Sequence, residues 1–164
     1  MSIEVRKATK ADWPQIWSIF EATVRAGETY TYDPGMTSAQ ARDMWLSTPP
    51  RSTVVAETDG VVLGTATMGP NREGRGAHMG TASFMVAPEA QGRGVGRALG
   101  SHVVDWHRAH GFRGIVFNAV VETNTAAVAL WTSLGFTVVG TVPGAFDHPV
   151  HGYVGLHVMH LPLV

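Results

Sequence analysis

The chain has 164 residues, 45% of them hydrophobic, which suits one domain over residues 1–164 with a sizeable core. A formal net charge of −1 with mixed signs argues against nucleic acid or an anionic membrane as partner, and no apolar run reaches the ~18 residues of a membrane span. With no cysteine there is no disulfide framework, thiol nucleophile or cysteine metal site, and Glu4, Arg6 and Lys7 interrupt any secretory apolar region, so a cytoplasmic protein is expected.

In chain order, Ile3–Ala8 alternates as a first strand. Thr9 and Asp12 form a capping-box start, with Pro14 in the first turn, for a helix running to about Ala26. Thr37 or Ser38 caps a second helix to about Ser47, which Pro49-Pro50 ends. Ser52–Thr58 and Val61–Met68 read as a hairpin across Asp59-Gly60. A polar, glycine-rich loop, Gly69–Gly80, leads to a buried strand at Phe84–Ala87 that Pro88 stops.

The stretch that follows is the most informative. Glycines at 92, 94 and 96 run into a helix with Val95, Leu99, Val103 and Trp106 on one face, ending near Gly111. A strand that passes through glycines into a helix N-terminus aims several unpaired N–H groups, and the positive end of the helix dipole, at one point. That is a phosphate site, since side chains in place of the glycines would hold a phosphate off the backbone, and Arg93 and Arg97 add charge beside it. The dinucleotide fingerprint fails, because Arg97 and Leu99 stand where its last glycine should be. The Walker pattern fails too, for Lys7 and Lys10 are the only lysines. Beyond the helix come a strand at Arg113–Val121, a helix capped by Asn124 and ended by Gly135, a strand at Phe136–Val142, a loop, and a strand at Tyr153–Leu161.

Two motifs carry a family resemblance. Gln91-x-x-Gly94-x-Gly96 resembles the coenzyme A pyrophosphate loop of the GNAT acyltransferases, and the Asn124 helix ending in Leu134-Gly135-Phe136 resembles that family's other signature. The element order β-α-α-β-β-β-α-β-α-β-β is also the family's. The resemblance implies an α/β (α+β) GNAT acyl-CoA N-acyltransferase fold, with a mixed sheet of six to seven strands and about four helices. It also implies direct acetyl transfer from acetyl-CoA to an amine, with no metal. Cofactor contacts would come from Met85, Val86, Gln91, Gly92, Arg93, Gly94, Val95, Gly96, Arg97, Asn124, Ala127 and Trp131. In the family a bulge in the strand before the phosphate loop turns a backbone N–H toward the thioester carbonyl; here that donor is Val86 or Met85. Many relatives carry a tyrosine acid where Trp131 stands. Indole cannot protonate a thiolate, so Ser133 and Tyr153 are weighed as donors, beside the option that the thiolate leaves unaided.

A closer resemblance concerns the acceptor. His78 to Val86, Val116 to Asn124 and Gly140 to Ala145 are similar to the azetidine-2-carboxylate acetyltransferases. Glu28-Thr-Tyr-Thr-Tyr and Gly69-Pro70 are similar, less closely, to the phosphinothricin and methionine-sulfoximine acetyltransferases. Both groups imply a small amino or imino acid as the amine acceptor. On that resemblance Asn118 stabilises the oxyanion or positions the amine, and Asn124 meets the carboxylate. Glu122 is a candidate general base acting through water, His78 a candidate base or loop anchor, and Glu28 a candidate to line the acceptor site or bind the substrate ammonium; Arg75, with Arg72, and His148 are further candidates for the acceptor site. Two other readings stay open, a peptide or protein N-acetyltransferase and a non-catalytic acyl-CoA sensor. A homodimer is expected from the relatives. The histidines of the third helix, His102, His107 and His110, read as solvated, and no His-Glu-x-x-His pattern suggests a metal.

Overall fold

A computed structural model describes residues 2–164. Its centre is a seven-stranded sheet: β1 (Glu4–Lys7), β2 (Ser52–Thr58), β3 (Val61–Pro70), β4 (Met79–Val86), β5 (Gly114–Val121), β6 (Thr137–His148) and β7 (Gly152–Pro162). They lie in the order β1-β2-β3-β4-β5-β7-β6. Every neighbouring pair is antiparallel except β4 and β5, which run parallel. Four helices complete the fold: α1 (Trp13–Ala26), α2 (Ser38–Trp45), α3 (Val95–Ala109) and α4 (Thr125–Ser133).

Local chemistry explains most boundaries. The Asp12 carboxylate accepts from the Thr9 backbone N–H at 2.7 Å, starting a 3-10 turn that leads into α1. Thr37 and Gln40 form a reciprocal capping box at α2. Asp12 also takes two bonds from Arg6, at 2.9 and 2.8 Å, and Arg6 reaches Glu57 at 2.8 Å, so one guanidinium ties β1, the start of α1 and β2. Helix α3 buries Val95, Leu99 and Val103 against β3, where Gly64 leaves the room: a Cβ there would lie 2.7 Å from Val95.

Three expectations are corrected. Strand β6 continues past Val142 to His148. The segment Pro143-Gly144-Ala145 reads as loop, but it is accommodated as a register shift between Val142 and Phe146, after which pairing with β7 resumes at Phe146–Val154. Second, β4 carries no bulge against β3, the register running unbroken from Gly64–Val86 to Pro70–Gly80. Third, His107 is fully buried rather than solvated. Its Nδ1 meets the Val103 carbonyl at 2.8 Å, and its ring fills the space over Gly80, where a Cβ would sit 2.2 Å from it.

Candidate active site

The parallel seam is short. Strands β4 and β5 pair only at Met79–Gly114 and Gly80–Ile115, and beyond that point they part. A cleft of about 660 Å³ opens between them, lined on one side by the α1–α2 segment Glu28–Tyr32 and on the other by the glycine loop, Asn124 and Trp131.

Pairing parity determines which groups face this gap. The Ala87 N–H bonds the Leu63 carbonyl at 2.8 Å, and bonded pairs alternate along an antiparallel ladder. Ser83, Met85 and Ala87 therefore direct their N–H groups to β3. Phe84 and Val86 direct theirs toward β5, where the partner strand has drawn away. Of the two expected donors, Val86 is the one whose amide opens into the cleft. Met85 spends its N–H within the sheet and is 2% exposed, although it contributes to the cleft wall. A regular strand and a missing neighbour thus turn a backbone N–H into the cleft without a bulge.

The glycine loop has the form of an anion cradle. Gly92 and Gly94 hold φ of 76° and 86°, in the left-handed region that favours glycine, and a Cβ at either would meet nothing within 4 Å. The first helical bond of α3 is Ala98 N–H to Gly94 at 3.0 Å, which leaves the Val95, Gly96 and Arg97 N–H groups without intrahelical acceptors. Arg97 lines the cleft and donates to Ser133 at 2.9 Å; Gln91 lines it as well, while Arg93 lies on the exposed outer side of the loop. Ser133 also donates to the Leu130 carbonyl, and Tyr153 is 78% exposed, so neither hydroxyl is presented to the cleft as an acid. On α4, Asn124 accepts from the Ala127 N–H at 3.3 Å through Oδ1, leaving its amide hydrogens free. Trp131 packs its ring 4.5 Å from Phe84 and 5.0 Å from Phe117 and is 6% exposed.

The remaining nominated residues divide. Asn118 and Glu28 line the cleft. Asn118 exchanges two amide bonds, of 2.8 and 3.3 Å, with Asn71 at the start of the β3–β4 loop, a partner without a local sequence signal. Glu122, His78, Arg75 and His148 do not line it. Glu122 accepts the Gly155 N–H at 2.6 Å and returns its own to the Gly155 carbonyl, which fastens it to β7. His78 precedes β4, so it lies roughly 26 Å along the strand from Val86, far beyond proton-transfer reach. Arg75 sits on the exposed outer part of the β3–β4 loop. His148 is the last residue of β6 rather than part of a loop; it is buried, and its Nδ1 accepts from the Val150 and His151 N–H groups at 3.1 and 3.2 Å, capping the hairpin.

Residues 13–136 match the model of the acetyltransferase (GNAT) family. The chain belongs to this family. Among solved structures, a GCN5-related N-acetyltransferase from Kribbella flavida is 61% identical over 98% of both chains, with a TM-score of 0.96. A GNAT phosphinothricin acetyltransferase from Sinorhizobium meliloti, solved with acetyl-CoA, is 26% identical over 99% of this chain and 89% of its own, with a TM-score of 0.88. The L-methionine sulfoximine/L-methionine sulfone acetyltransferase of Salmonella typhimurium is 32% identical over 85% of this chain and 82% of its own. The chain is an acetyl-CoA-dependent GNAT N-acetyltransferase. The loop fits that cosubstrate: open glycines, three free N–H groups and Arg97 suit a pyrophosphate.

Proposed function

We propose that this chain moves an acetyl group from acetyl-CoA to the amine of a free amino or imino acid. The observation that carries the reading is the parted β4–β5 seam, with the Val86 N–H facing the gap beside the glycine loop. Relatives that act on methionine sulfoximine and phosphinothricin support the acceptor class.

The loop N–H groups of Val95, Gly96 and Arg97 hold the pyrophosphate, and the thioester lies in the parted seam. The neutral amine nitrogen adds to the carbonyl carbon while the Val86 N–H donates to the developing oxyanion. Collapse forms the amide and breaks the carbon–sulfur bond. A thiol has a pKa of about 8.5, so the thiolate leaves without a strong acid and is protonated by water, which also accepts the amine proton. Glu28, free of any ion pair among the described residues, receives the acceptor's amine, while Asn118 positions it and the Asn124 amide hydrogens meet its carboxylate. A thiol-release screen over amino acids, their carboxamides and short peptides tests this. Free amino acids should turn over fastest; equal rates with carboxamides or peptides would replace this reading with a peptide or amine acetyltransferase.

Two copies pairing through β6 is part of the same proposal. Thr137–Ala145 is an uncharged stretch on the sheet's edge, with Val139 and Val142 60% and 57% exposed, where a lone chain would ordinarily carry charge. Sedimentation velocity should give a dimer that Val139→Lys converts to monomer; a wild-type monomer overturns it.

A further inference from the structure

Where the seam parts, each strand is held by a side chain from elsewhere in the sequence. On β4, the Tyr30 hydroxyl bonds the Phe84 N–H and carbonyl, each at 2.7 Å. On β5 the arrangement is different, because the ladder with β7 is itself interrupted. Phe117 pairs with Met159 and Val120 with His157, so β5 takes three steps where β7 takes two, and Asn118–Ala119 forms a bulge. The bulge leaves Asn118 without a rung toward β7, and on its other side β4 has already drawn away. Neither ladder fixes it.

Asn71 supplies what the ladders do not. Its carboxamide donates to Asn118 Oδ1 at 3.3 Å and accepts from Asn118 Nδ2 at 2.8 Å. Its backbone is anchored separately: the Asn71 N–H donates to the Met79 carbonyl at 2.8 Å, and Arg51 donates to the carbonyl of the preceding Pro70 at 3.1 Å. Met79 is one of the two β4 residues that pair with β5. One residue joins the closed end of the seam to the wall of its open part. Asn118 and Ala119 line the cleft, whereas Asn71 does not.

We infer that Asn71 is a positioning residue for acetyl transfer: by clasping Asn118 it fixes the bulge of β5, and with it the acceptor's place beside the thioester. The inference rests on the reading of Asn118 as an acceptor contact and extends it to a residue 47 positions away. Each amide gives one hydrogen and one lone pair to the clasp, so Asn118 keeps an N–H and an oxygen lone pair for the acceptor. The two bonds are exposed to solvent, so water replaces them when the clasp is cut and little stability goes with them. What is lost is the single position of Asn118, and a misplacement of about an ångström is enough to slow a reaction between held partners.

Asn71→Leu removes both bonds at nearly constant volume, and Asn71→Asp keeps the acceptor of the shorter bond while losing the donor. Kinetics should be measured with whichever acceptor turns over fastest in the thiol-release screen. Asn71→Leu should lose about ten- to thirty-fold in kcat/KM for that acceptor, with Asn71→Asp between it and wild type. Acetyl-CoA affinity by calorimetry should stay within about twofold, and Tm within about 2 °C. In an Asn118→Ala background, Asn71→Leu should cost nothing further. Fully additive losses overturn the proposal, since Asn71 would then act without Asn118. Losses that come with weaker acetyl-CoA binding and a lower Tm mark a structural role and overturn it as well. If Asn118→Ala is impaired and Asn71→Leu is as active as wild type, the Asn71 proposal alone falls. If Asn118→Ala is unimpaired, or nothing turns over, the reading of Asn118 falls and takes this proposal with it. Should Asn71→Leu fail to fold, nuclear magnetic resonance on the wild-type protein decides instead. The side-chain amides of Asn71 and Asn118 should show a mutual nuclear Overhauser effect, and its absence overturns the clasp.

Discussion

Asn124 does two jobs with one amide, its oxygen capping α4 and its hydrogens facing the cleft. Asn124→Ser keeps a capping oxygen and removes the donors, and a charge-assisted hydrogen bond is worth roughly 1.5–3 kcal/mol, so the acceptor KM should rise about ten- to hundred-fold with kcat little changed. Asn118→Ala should do the reverse, lowering kcat more than it raises KM; steady-state kinetics on both variants separates the roles. Trp131 offers packing and no acid, so Trp131→Phe should keep most of the turnover at saturating acceptor. A loss of three orders of magnitude with an intact circular dichroism spectrum would show that the indole does more. Residues of this kind were legible in the sequence where their signal was local: an Asn before a helix, a glycine before a helix N-terminus. Tyr30, Asn71 and the burial of His107 were not, since each depends on a partner dozens of positions away. The same holds for Glu122, whose bond to Gly155 crosses to another strand. His78 lay close to the site in sequence and far from it along a strand.

Among the elements, the β4–loop–α3 unit carries most of the proposed cosubstrate contacts. Gly94 is the first residue of the α3 cap, and its φ of 86° costs a non-glycine residue on the order of 1–3 kcal/mol, too little to unfold the chain. Gly94→Glu should therefore abolish acetyl-CoA binding by calorimetry, by placing an anion in the cradle, while the far-ultraviolet spectrum stays unchanged. Unaltered affinity would show that the pyrophosphate lies elsewhere. The order of elements and most of their boundaries followed from caps, turns and periodicity. The end of β6 did not, because Pro143 and Gly144 signal a turn locally and only the pairing with β7 reveals that the strand continues through them. Likewise a family bulge was expected in β4, yet strand parity aims the same amide into the cleft; parity depends on register, and register is a tertiary property.

At the scale of the molecule, the Arg6 guanidinium holds Asp12 at about 2 against an ordinary 3.8, by hydrogen bonds that outweigh its desolvation. A carboxyl with a depressed folded pKa stabilises the fold above its unfolded value and loses that contribution as pH falls through the folded one. The contribution is on the order of 1–2 kcal/mol, reduced because the Arg6 side chain is 34% exposed. The gap in Tm between wild type and Asp12→Asn should thus be a few degrees at pH 5, shrink between about pH 4 and 2, and vanish below. A gap that persists unchanged to pH 2 would show that Asp12 acts only as a neutral cap. The two-pair seam has a mechanical consequence as well. One apolar cluster gathers under β1–β4 with α1, α2 and α3, another under β5–β7 with α4, and Ala82 and Phe84 pack against both. Within the sheet, the two halves are then joined along a line only two residues long. Anything lodged in the cleft touches both halves and acts as a wedge and a staple together, so the empty enzyme should flex about this line and the loaded one should move as a single body.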